Sequence, residues 1–334
     1  MALNKFIKFP SIERFKSVYQ SIKSRSKFVS KVADDVIFDE SRAKPVMRFF
    51  STVKIHGTNA AVSMDKNGNM YSQSRSRILS IEQDNVGFCL WSSQPERQQL
   101  FRSIMTTYLE DNDMVVIFGE FAGGNIHKGV AVNQTEKHFY PFNIATVKDD
   151  VVSYLPMMYL AELTNPELQV VSITEFPVHS FLIDFNNPDT DSIQTLCDET
   201  EQQCPVGTYH GVEGIGEGIV LHSEDYMYRF KVKGEKHRQT SKRQLALSVE
   251  DEQFEDMQDF INQTISESRL NQGIDYLREQ NLPINEKSTG AYIKWVWEDL
   301  LKEESDNIVA KQYNIKTLRK FVSKKSVSFF NQYN

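Results

Sequence analysis

Apolar residues along this chain follow two different spacings, and the change from one to the other falls near residue 243. Before that point, short continuous or alternating apolar runs predict strands within residues 47–64, 114–121, 139–144, 218–221 and 228–233. After it, apolar residues recur three or four positions apart, as on one face of a helix. The pattern predicts an α/β or α+β domain over residues 1–240 and a small helical domain over residues 244–334.

Local signals add turns and helices to this outline. Residues 1–45 look helical before the first strands, and residues 92–109 predict a helix with Leu100 and Ile104 roughly on one side. Residues 56–59 are a predicted turn between two strands, and the run from Asp65 to Asn69 predicts a hairpin turn. Pro141 favours an edge or irregular position for its strand, because proline cannot donate to a sheet ladder.

The C-terminal third has its own organisation. Residues from Phe254 to Leu301 keep helical spacing on both sides of a loop at Pro283. The charged stretch over residues 236–243 is the predicted linker between the domains. A basic stretch over residues 316–325 falls on a predicted C-terminal helix, where it is a solvated face or a contact for a nucleic-acid backbone.

Net charge, cysteine content and the lack of long apolar runs restrict which partners and which cellular compartment fit the chain. The 334 residues carry a net charge of −7, so attraction of nucleic acid requires a local basic patch rather than the whole molecule. Three cysteines without a Cys-x-x-Cys pair argue against structural zinc and a disulfide framework. No long apolar run appears, so we expect no membrane partner. With so few cysteines we also expect a cytoplasmic location, and we expect a monomer.

The segment from Lys54 to Ala60, Lys-Ile-His-Gly-Thr-Asn-Ala, holds the first candidate chemistry. A lysine amine can act as a covalent nucleophile and attack the α-phosphorus of a nucleotide. Gly57 permits close backbone approach to a ligand, and Thr58 and Asn59 add hydrogen-bonding groups. Because roughly one Lys-x-x-Gly is expected by chance in a chain this long, the interpretation depends on residues further along the chain.

Four further groups of candidate residues come in order along the first domain. They are Arg75 with its rival Arg77, Glu120 with Phe142, Glu217, and the pair Lys231 and Lys233. Lys231 and Lys233 share one face of a strand, where two ammonium groups suit a triphosphate or its leaving pyrophosphate. Those cations, with a metal, would favour the neutral form of the attacking amine. Glu217 suits a magnesium ligand, since Mg²⁺ prefers hard oxygen donors.

The order of these groups resembles the covalent nucleotidyltransferases, which include DNA ligases, RNA ligases and mRNA capping enzymes. Within them, Lys-Ile-His-Gly-Thr-Asn and Phe-Gly-Glu-Phe look like the RNA ligase 2 family of phages and kinetoplastid editing ligases. The resemblance covers roughly residues 45–235. It implies an α+β fold, with a nucleotidyltransferase domain of ligase-type antiparallel sheets and helices followed by a small C-terminal helical domain.

The resemblance also implies cofactors, a partner and roles. The cofactors are ATP and Mg²⁺ or Mn²⁺, and the partner is RNA, as a nicked duplex or as free ends. Lys54 is the nucleophile, Ile55 and Gly57 belong to the nucleotide site, Glu120 binds the ribose, and Phe142 stacks on adenine. The remaining implied contacts are those of His56, Asn59, Arg75, Glu217, Lys231 and Lys233 with phosphates or metal.

Each of these side chains also has an ordinary structural interpretation. Glu120 and Glu217 are also compatible with solvated acids at a strand end or loop, and Phe142 by itself is more typical of a core aromatic. His56 is equally typical of a hydrogen-bonded turn residue. Two positions depart from the family pattern: His222 stands where a lysine is common, and Val53 stands where Glu is frequent.

Two other functions stay open on the sequence. One is an ATP-dependent DNA ligase or a capping-type enzyme, although those usually carry an acid where His56 stands. The other is a non-catalytic nucleic-acid-binding relative, against which the intact lysines and glutamates count. The sequence thus predicts an ATP-dependent RNA ligase that seals 3′-hydroxyl and 5′-phosphate ends through a lysyl-AMP intermediate.

Overall fold

The fold is given by a computed structural model of the chain. It describes residues 6–32, 35–124, 126–127, 129–237, 257, 260–262, 264–280, 282–311 and 313–333. The chain divides into two compact units, Met1–Ala246 and Leu247–Asn334. The predicted domain boundary and most of the predicted linker, from Arg238 onward, lie outside the described residues.

The secondary structure mixes strands and helices throughout the first unit. The strands are β1 (Glu13–Arg14), β2 (Phe28–Val32), β3 (Asp35–Phe38), β4 (Val46–Val53), β5 (Thr58–Asp65), β6 (Met70–Ser74), β7 (Met114–Ala122), β8 (His138–Lys148), β9 (Val151–Tyr154), β10 (His179–Asp184), β11 (Gly218–Ser223) and β12 (Arg229–Lys233). The α-helices of this unit are α1 (Phe15–Lys27), α2 (Phe88–Ser92), α3 (Pro95–Leu109), α4 (Asp191–Gln202) and α5 (Pro205–Tyr209). Short 3₁₀ turns connect several of them.

Two five-stranded sheets make the framework. The first has the order β1-β12-β11-β4-β10 and is antiparallel except for the β1–β12 pair. The second has the order β6-β5-β7-β8-β9 and is antiparallel throughout. Strands β2 and β3 form a separate hairpin. The expected α+β class with antiparallel sheets is confirmed.

The second sheet is buried on both faces. One face packs on α2 and α3 through a large apolar core that includes Phe88, Phe101 and Phe139. The opposite face carries a smaller apolar cluster around Val116 and Phe118, which the N-terminal residue Phe9 covers. Burial on both faces explains why β7 reads as an unbroken apolar run rather than an alternating one.

Three local predictions are corrected by the structure. Residues 1–45 are helical only over Phe15–Lys27, since the β-branched and aromatic residues after Lys27 form the hairpin of β2 and β3. The helix predicted over residues 92–109 begins only at Pro95, which occupies the first turn of α3, while Ser92 is the last residue of α2. The predicted turn at residues 56–59 is shorter, because β5 already begins at Thr58.

Pro141 does not lie on an edge strand, because β8 pairs with both β7 and β9. The irregular position that proline favours is nevertheless present. The register between β7 and β8 shifts at Gly119, which faces Pro141, while Phe118 faces Asn143. The shift leaves Phe142 as the extra residue of a bulge, and such bulges re-aim side chains.

The second unit is helical where it is described. Its α-helices with defined bounds are α6 (Glu267–Glu279), α7 (Thr289–Ala310) and α8 (Ile315–Phe330). Its own apolar core includes Ile274, Tyr292, Leu300 and Val322. Pro283 lies between α6 and α7 as expected, whereas Phe254 is outside the described residues. Among the described helices of the chain, none combines the length and apolar character that a membrane crossing needs.

Candidate active site

Lys54 lies directly after β4, where the chain turns towards β5. Its backbone N–H donates to the carbonyl of Gly218 at 2.8 Å, which ties the lysine to the start of β11. Its side chain is 19% exposed and its Nζ is 2.6 Å from Oε2 of Glu217. The lysine is therefore held in a protein-lined cleft with its amine accessible, instead of extending freely into solvent.

Glu217 is the centre of the charged site. Its side chain is buried, yet its two oxygens receive Nζ of Lys54 at 2.6 Å, Nδ1 of His56 at 3.0 Å and Nζ of Lys233 at 2.9 Å. Burial alone would raise the pKa of Glu217, but the His56 hydrogen bond and the two lysine charges hold it far below its usual range. The carboxylate is therefore ionised and already neutralised by cations.

Glu120 faces the same cleft from β7. Its Oε1 accepts a hydrogen bond from the backbone N–H of Gly57 at 3.0 Å. Burial raises the pKa of Glu120 to about 7, and the Glu217 charge adds to that rise against the opposing effects of Lys54 and Gly57. Asn59 is directly opposite Glu120 in the β5–β7 register. The structure thus brings Asn59 and Glu120 together beside the lysine.

Gly57 is required for a reason that differs from the predicted one. A Cβ at this position would lie 2.4 Å from the carbonyl oxygen of Phe121 and 2.6 Å from Cβ of Ala122. The close approach that the glycine permits is therefore to the neighbouring strand β7. It places the Gly57 amide where Glu120 can accept its hydrogen.

Lys231 and Lys233 project from the same face of β12, as predicted. Lys233 pairs in register with Gly218, and Lys231 pairs with Val220. Burial lowers the pKa of Lys231 to about 7, and the charges of Lys54 and Lys233 lower it further, with a smaller contribution from Arg75. The surroundings of Lys231 therefore disfavour its charge, whereas Nζ of Lys233 contacts the carboxylate of Glu217 at 2.9 Å.

Arg75 and Arg77 differ in the interactions they make. Both come after β6 and are exposed. Arg77 donates from Nη1 to the carbonyl of Gln83 at 2.6 Å, so it holds its own loop. Arg75 instead lies near enough to Lys231 to affect its charge. Of the two, Arg75 is the arginine whose charge acts on a lysine of the cleft.

A cavity of about 670 Å³ of partly solvent-open space continues from this charged site. Both sheets line it: Lys54 and Ile55 at one side, Glu120 and Phe142 at another. The ring of Phe142 packs edge-on against Phe9, with centroids 4.9 Å apart. Its lining is mostly apolar with a few polar groups, which is the usual character of small-molecule sites.

Several cavity residues were not anticipated from the sequence. Besides Lys54 and Glu120, the polar side chains of the lining include Asn143, His222, Tyr226 and Arg229. Of these four, only His222 stands out in the sequence, as a departure from a family pattern. An amide inside the apolar run of β8 was a usable signal for Asn143, since a buried polar group in a strand needs a partner.

Two more histidines lie near His56. The ring of His127 is 5.0 Å from that of His56, and the ring of His237 is 5.9 Å away. Burial lowers the pKa of both His127 and His237. Sequence spacing could not predict this cluster, because the three residues come from distant parts of the chain.

The oxygen donors around Lys54 meet the needs of a divalent metal only in part. Among the residues the structure describes, no group of three or more His, Cys, Asp or Glu side chains is arranged to hold an ion. Mg²⁺ in phosphate-transfer sites is bound by one or two carboxylates plus phosphate oxygens and water. Glu217 fits that mode, but its oxygens already contact Lys54 and Lys233, so a phosphate ligand would have to take over the lysines.

A family model described as RNA ligase matches residues 47–238, which is more than half of the chain. That span contains every candidate residue of the site. Among curated proteins, none matches the sequence significantly.

Solved structures of a Naegleria gruberi RNA ligase are similar to the chain. One variant with ATP and Mn has 16% identity and a TM-score of 0.47, and another with AMP and Mn has 15% identity and the same score. The structure with PPi has 16% identity and a TM-score of 0.44. Each match covers 70% of this chain and 58% of the other, so the chain spans less than two thirds of the length of those proteins.

Proposed function

The chain belongs to the RNA ligase family, and we propose that it is an ATP-dependent RNA ligase that works through a lysyl-AMP intermediate on Lys54. The observation that carries the proposal is the cleft in which Lys54 and Lys233 contact one buried carboxylate, Glu217, with Lys231 close to both lysines and a cavity opening beside Lys54. Phosphoryl transfer depends mostly on positioning and charge neutralisation, and this cleft offers both.

In the first step, the neutral amine of Lys54 attacks the α-phosphorus of ATP. A nitrogen–phosphorus bond forms, the bond to the β-phosphate oxygen breaks, and pyrophosphate leaves with the bonding electrons. The amine proton passes to solvent. Lys231 and Lys233 neutralise the triphosphate and the departing pyrophosphate, since both ammonium groups lie on one strand face beside Lys54.

Release of Lys54 from Glu217 is part of this step. The amine lies 2.6 Å from the carboxylate and cannot attack while it is protonated and paired. The triphosphate supplies new partners for Lys233, and a divalent ion bound to Glu217 would supply a new partner for the carboxylate. That ion, Mg²⁺ or Mn²⁺, would neutralise phosphate charge when bound.

The nucleoside occupies the cavity. Glu120 accepts hydrogen bonds from the ribose hydroxyls, because its carboxylate faces the cleft next to Lys54. Phe142, re-aimed by the bulge in β8, offers its ring to the base. Ile55 supplies an apolar wall of the same cavity.

The last two steps transfer AMP to RNA and then seal the strand. A 5′-phosphate oxygen of RNA attacks the adenylate phosphorus, and Lys54 leaves and regains a proton. The RNA 3′-hydroxyl then attacks the 5′-phosphate, loses its proton, and displaces AMP. Asn59 and Arg75 grip the 5′-phosphate, since both border the cleft and offer hydrogen-bond donors. His56 steadies Glu217 during the exchange of partners.

A sealing assay tests the function. The substrate is a duplex with one nick carrying a labelled 5′-phosphate, made once in RNA and once in DNA, with ATP and Mg²⁺ present. We expect the label in the RNA nick to become resistant to phosphatase, and the DNA nick to be sealed poorly. Equal or preferential sealing of DNA would contradict the proposal. If labelled GTP became attached to the protein and labelled ATP did not, the chain would belong to capping chemistry instead.

A further inference from the structure

Four polar side chains in the cavity are buried without the partners that buried polar groups need. Asn143, His222, Tyr226 and Arg229 are each at most 8% exposed. Within the described part of the chain, no hydrogen bond of ordinary geometry is made by either amide atom of Asn143, Nε2 of His222, the hydroxyl of Tyr226, or Nε and Nη2 of Arg229. Tyr226 is nevertheless close to Asn143, and Arg229 is close to Tyr154, whereas Nε2 of His222 has no such neighbour. All four residues line the cavity that begins at Lys54. Such a concentration of unpaired groups indicates a ligand that pairs them.

His222 is held in one tautomer. Its Nδ1 lies 3.0 Å from the carbonyl oxygen of Ser223, and a carbonyl can only accept, so Nδ1 carries a proton. Burial lowers the pKa of His222, and the Arg229 charge lowers it further, so the ring is neutral. The unpaired Nε2 therefore presents a lone pair and acts as a hydrogen-bond acceptor.

The ring of His222 is also fixed in position. It stacks on Tyr226 with centroids 4.2 Å apart and an interplanar angle of 8°. Across the β11–β12 hairpin it is opposite Arg229, whose guanidinium lies over the ring of Tyr154 at 4.4 Å. Because the ring is held in place, Nε2 of His222 favours a ligand that has a hydrogen-bond donor at the matching position.

The position of His222 relative to Lys54 defines which part of a nucleotide it meets. Gly218, at the start of β11, bonds the Lys54 backbone, and His222 lies four residues further along the strand. That is about 13 Å at the ordinary rise of a strand. A nucleotide whose α-phosphorus is at Lys54 would therefore have its base, and not its ribose, near His222.

Adenine offers the groups that this end of the cavity lacks. Its 6-amino group supplies two N–H donors, and its ring nitrogens are acceptors. The unpaired acceptors are Nε2 of His222 and Oδ1 of Asn143, while Nδ2 of Asn143 and Arg229 are donors. A 6-oxo purine such as guanine would instead bring an oxygen lone pair towards Nε2 of His222.

We propose that His222 is the specificity-determining residue for the nucleobase, and that its Nε2 accepts a hydrogen bond from the 6-amino group of adenine. Asn143 pairs with the same edge of the base, and Arg229 donates to a ring nitrogen. The inference rests on the proposed function, since it assumes that a nucleotide reacts at Lys54. It assigns this chain a base-reading acceptor at a position where the family commonly has a lysine, which can only donate.

The test compares ATP with purine riboside triphosphate, which has hydrogen in place of the 6-amino group. The rate of covalent nucleotide attachment to the full chain is measured with each, for the native protein, His222→Phe and His222→Gln. Phe keeps a ring to stack on Tyr226 but has no acceptor, whereas the amide oxygen of Gln can take the place of Nε2. Thermal unfolding midpoints establish that each variant is folded.

We expect the native protein to prefer ATP by about 10- to 100-fold, the usual discrimination of one well-placed base contact. In His222→Phe most of this preference should be lost through a slower reaction with ATP, leaving only what Asn143 contributes, and in His222→Gln most of it should return. Equal rates with the two nucleotides in the native protein would overturn the inference while leaving the proposed function intact. An equal loss with both nucleotides in His222→Phe would overturn it too, as it would show a structural role. If no nucleotide attaches, the proposed function fails and the inference with it.

Discussion

At the residue scale, the site is organised by two carboxylates with opposite properties. Glu217 is buried with three cationic or hydrogen-bonding partners and is ionised. Glu120 has one backbone partner, and burial raises its pKa to about 7. Neighbouring acids whose pKa values are pushed apart are typical of active sites, because each can then do a different task.

The raised pKa of Glu120 makes stability depend on pH in a predictable direction. The protonated carboxyl stabilises the fold below its unfolded pKa, and that contribution is lost as pH rises through about 7. We therefore expect Glu120→Gln, which stays neutral and can still accept from Gly57, to unfold like the native protein at pH 5. At pH 8.5 it should be more stable by about 2 kcal/mol. Urea unfolding at both pH values measures the difference.

The matched control is Glu167→Gln, which removes an exposed carboxylate of the same unit. A stability gain for Glu120→Gln that is equal at pH 5 and pH 8.5 would contradict this account, since it would not come from ionisation.

At the element scale, the sequence predicted the strands that carry the site better than the connections between them. Strands β7, β11 and β12 were expected because of their apolar runs, and the shared face of Lys231 and Lys233 followed from the strand period alone. The hairpin of β2 and β3 was not predicted. Its strands mix charged and apolar residues, as the preceding helix α1 does, so composition did not separate the two. The bulge beside Pro141 was foreseen only as an irregularity, since its register depends on the facing strand.

The link from β4 to β5 depends on Gly57. Its missing side chain lets the nucleophile segment lie against β7, where a Cβ would meet backbone at 2.4 Å. We expect Gly57→Ala to destabilise the protein by about 3 kcal/mol and to slow nucleotide attachment, because β7 must shift and carries Glu120 with it. Chemical unfolding and the attachment rate measure the two effects.

Gly290→Ala serves as the control for that substitution, since nothing lies within 4 Å of a Cβ there. Its stability should change by less than about 1 kcal/mol. If Gly57→Ala were as stable as the native protein, the link between β4 and β5 would be able to move away from β7. That result would contradict the close packing of Gly57 against β7.

At the scale of the whole molecule, the site arises where two sheets meet. The motifs could be predicted from sequence because each is a few residues long and its chemistry is local. The cavity could not, since Phe9, Asn143 and Arg229 come from distant parts of the chain and from no common motif. The unpaired polar groups there are visible only after folding, because pairing depends on neighbours that are remote in sequence.

All candidate residues for nucleotide attachment lie in the first unit, Met1–Ala246. The second unit, Leu247–Asn334, has its own apolar core and contributes none of them. The basic residues predicted on its last helix fall on α8, where Lys316, Arg319 and Lys320 are exposed. We propose that this unit helps to engage the RNA, while the chemistry belongs to the first.

The most direct test of the account is whether Lys54 becomes covalently attached to AMP. The full chain is incubated with α-labelled ATP and Mg²⁺, denatured, and analysed by electrophoresis and by mass spectrometry of the labelled peptide. We predict one AMP per chain on the peptide that contains Lys54, loss of the label when pyrophosphate is added, and no label in Lys54→Ala. Full labelling of Lys54→Ala, or an adduct on another residue, would contradict the central claim.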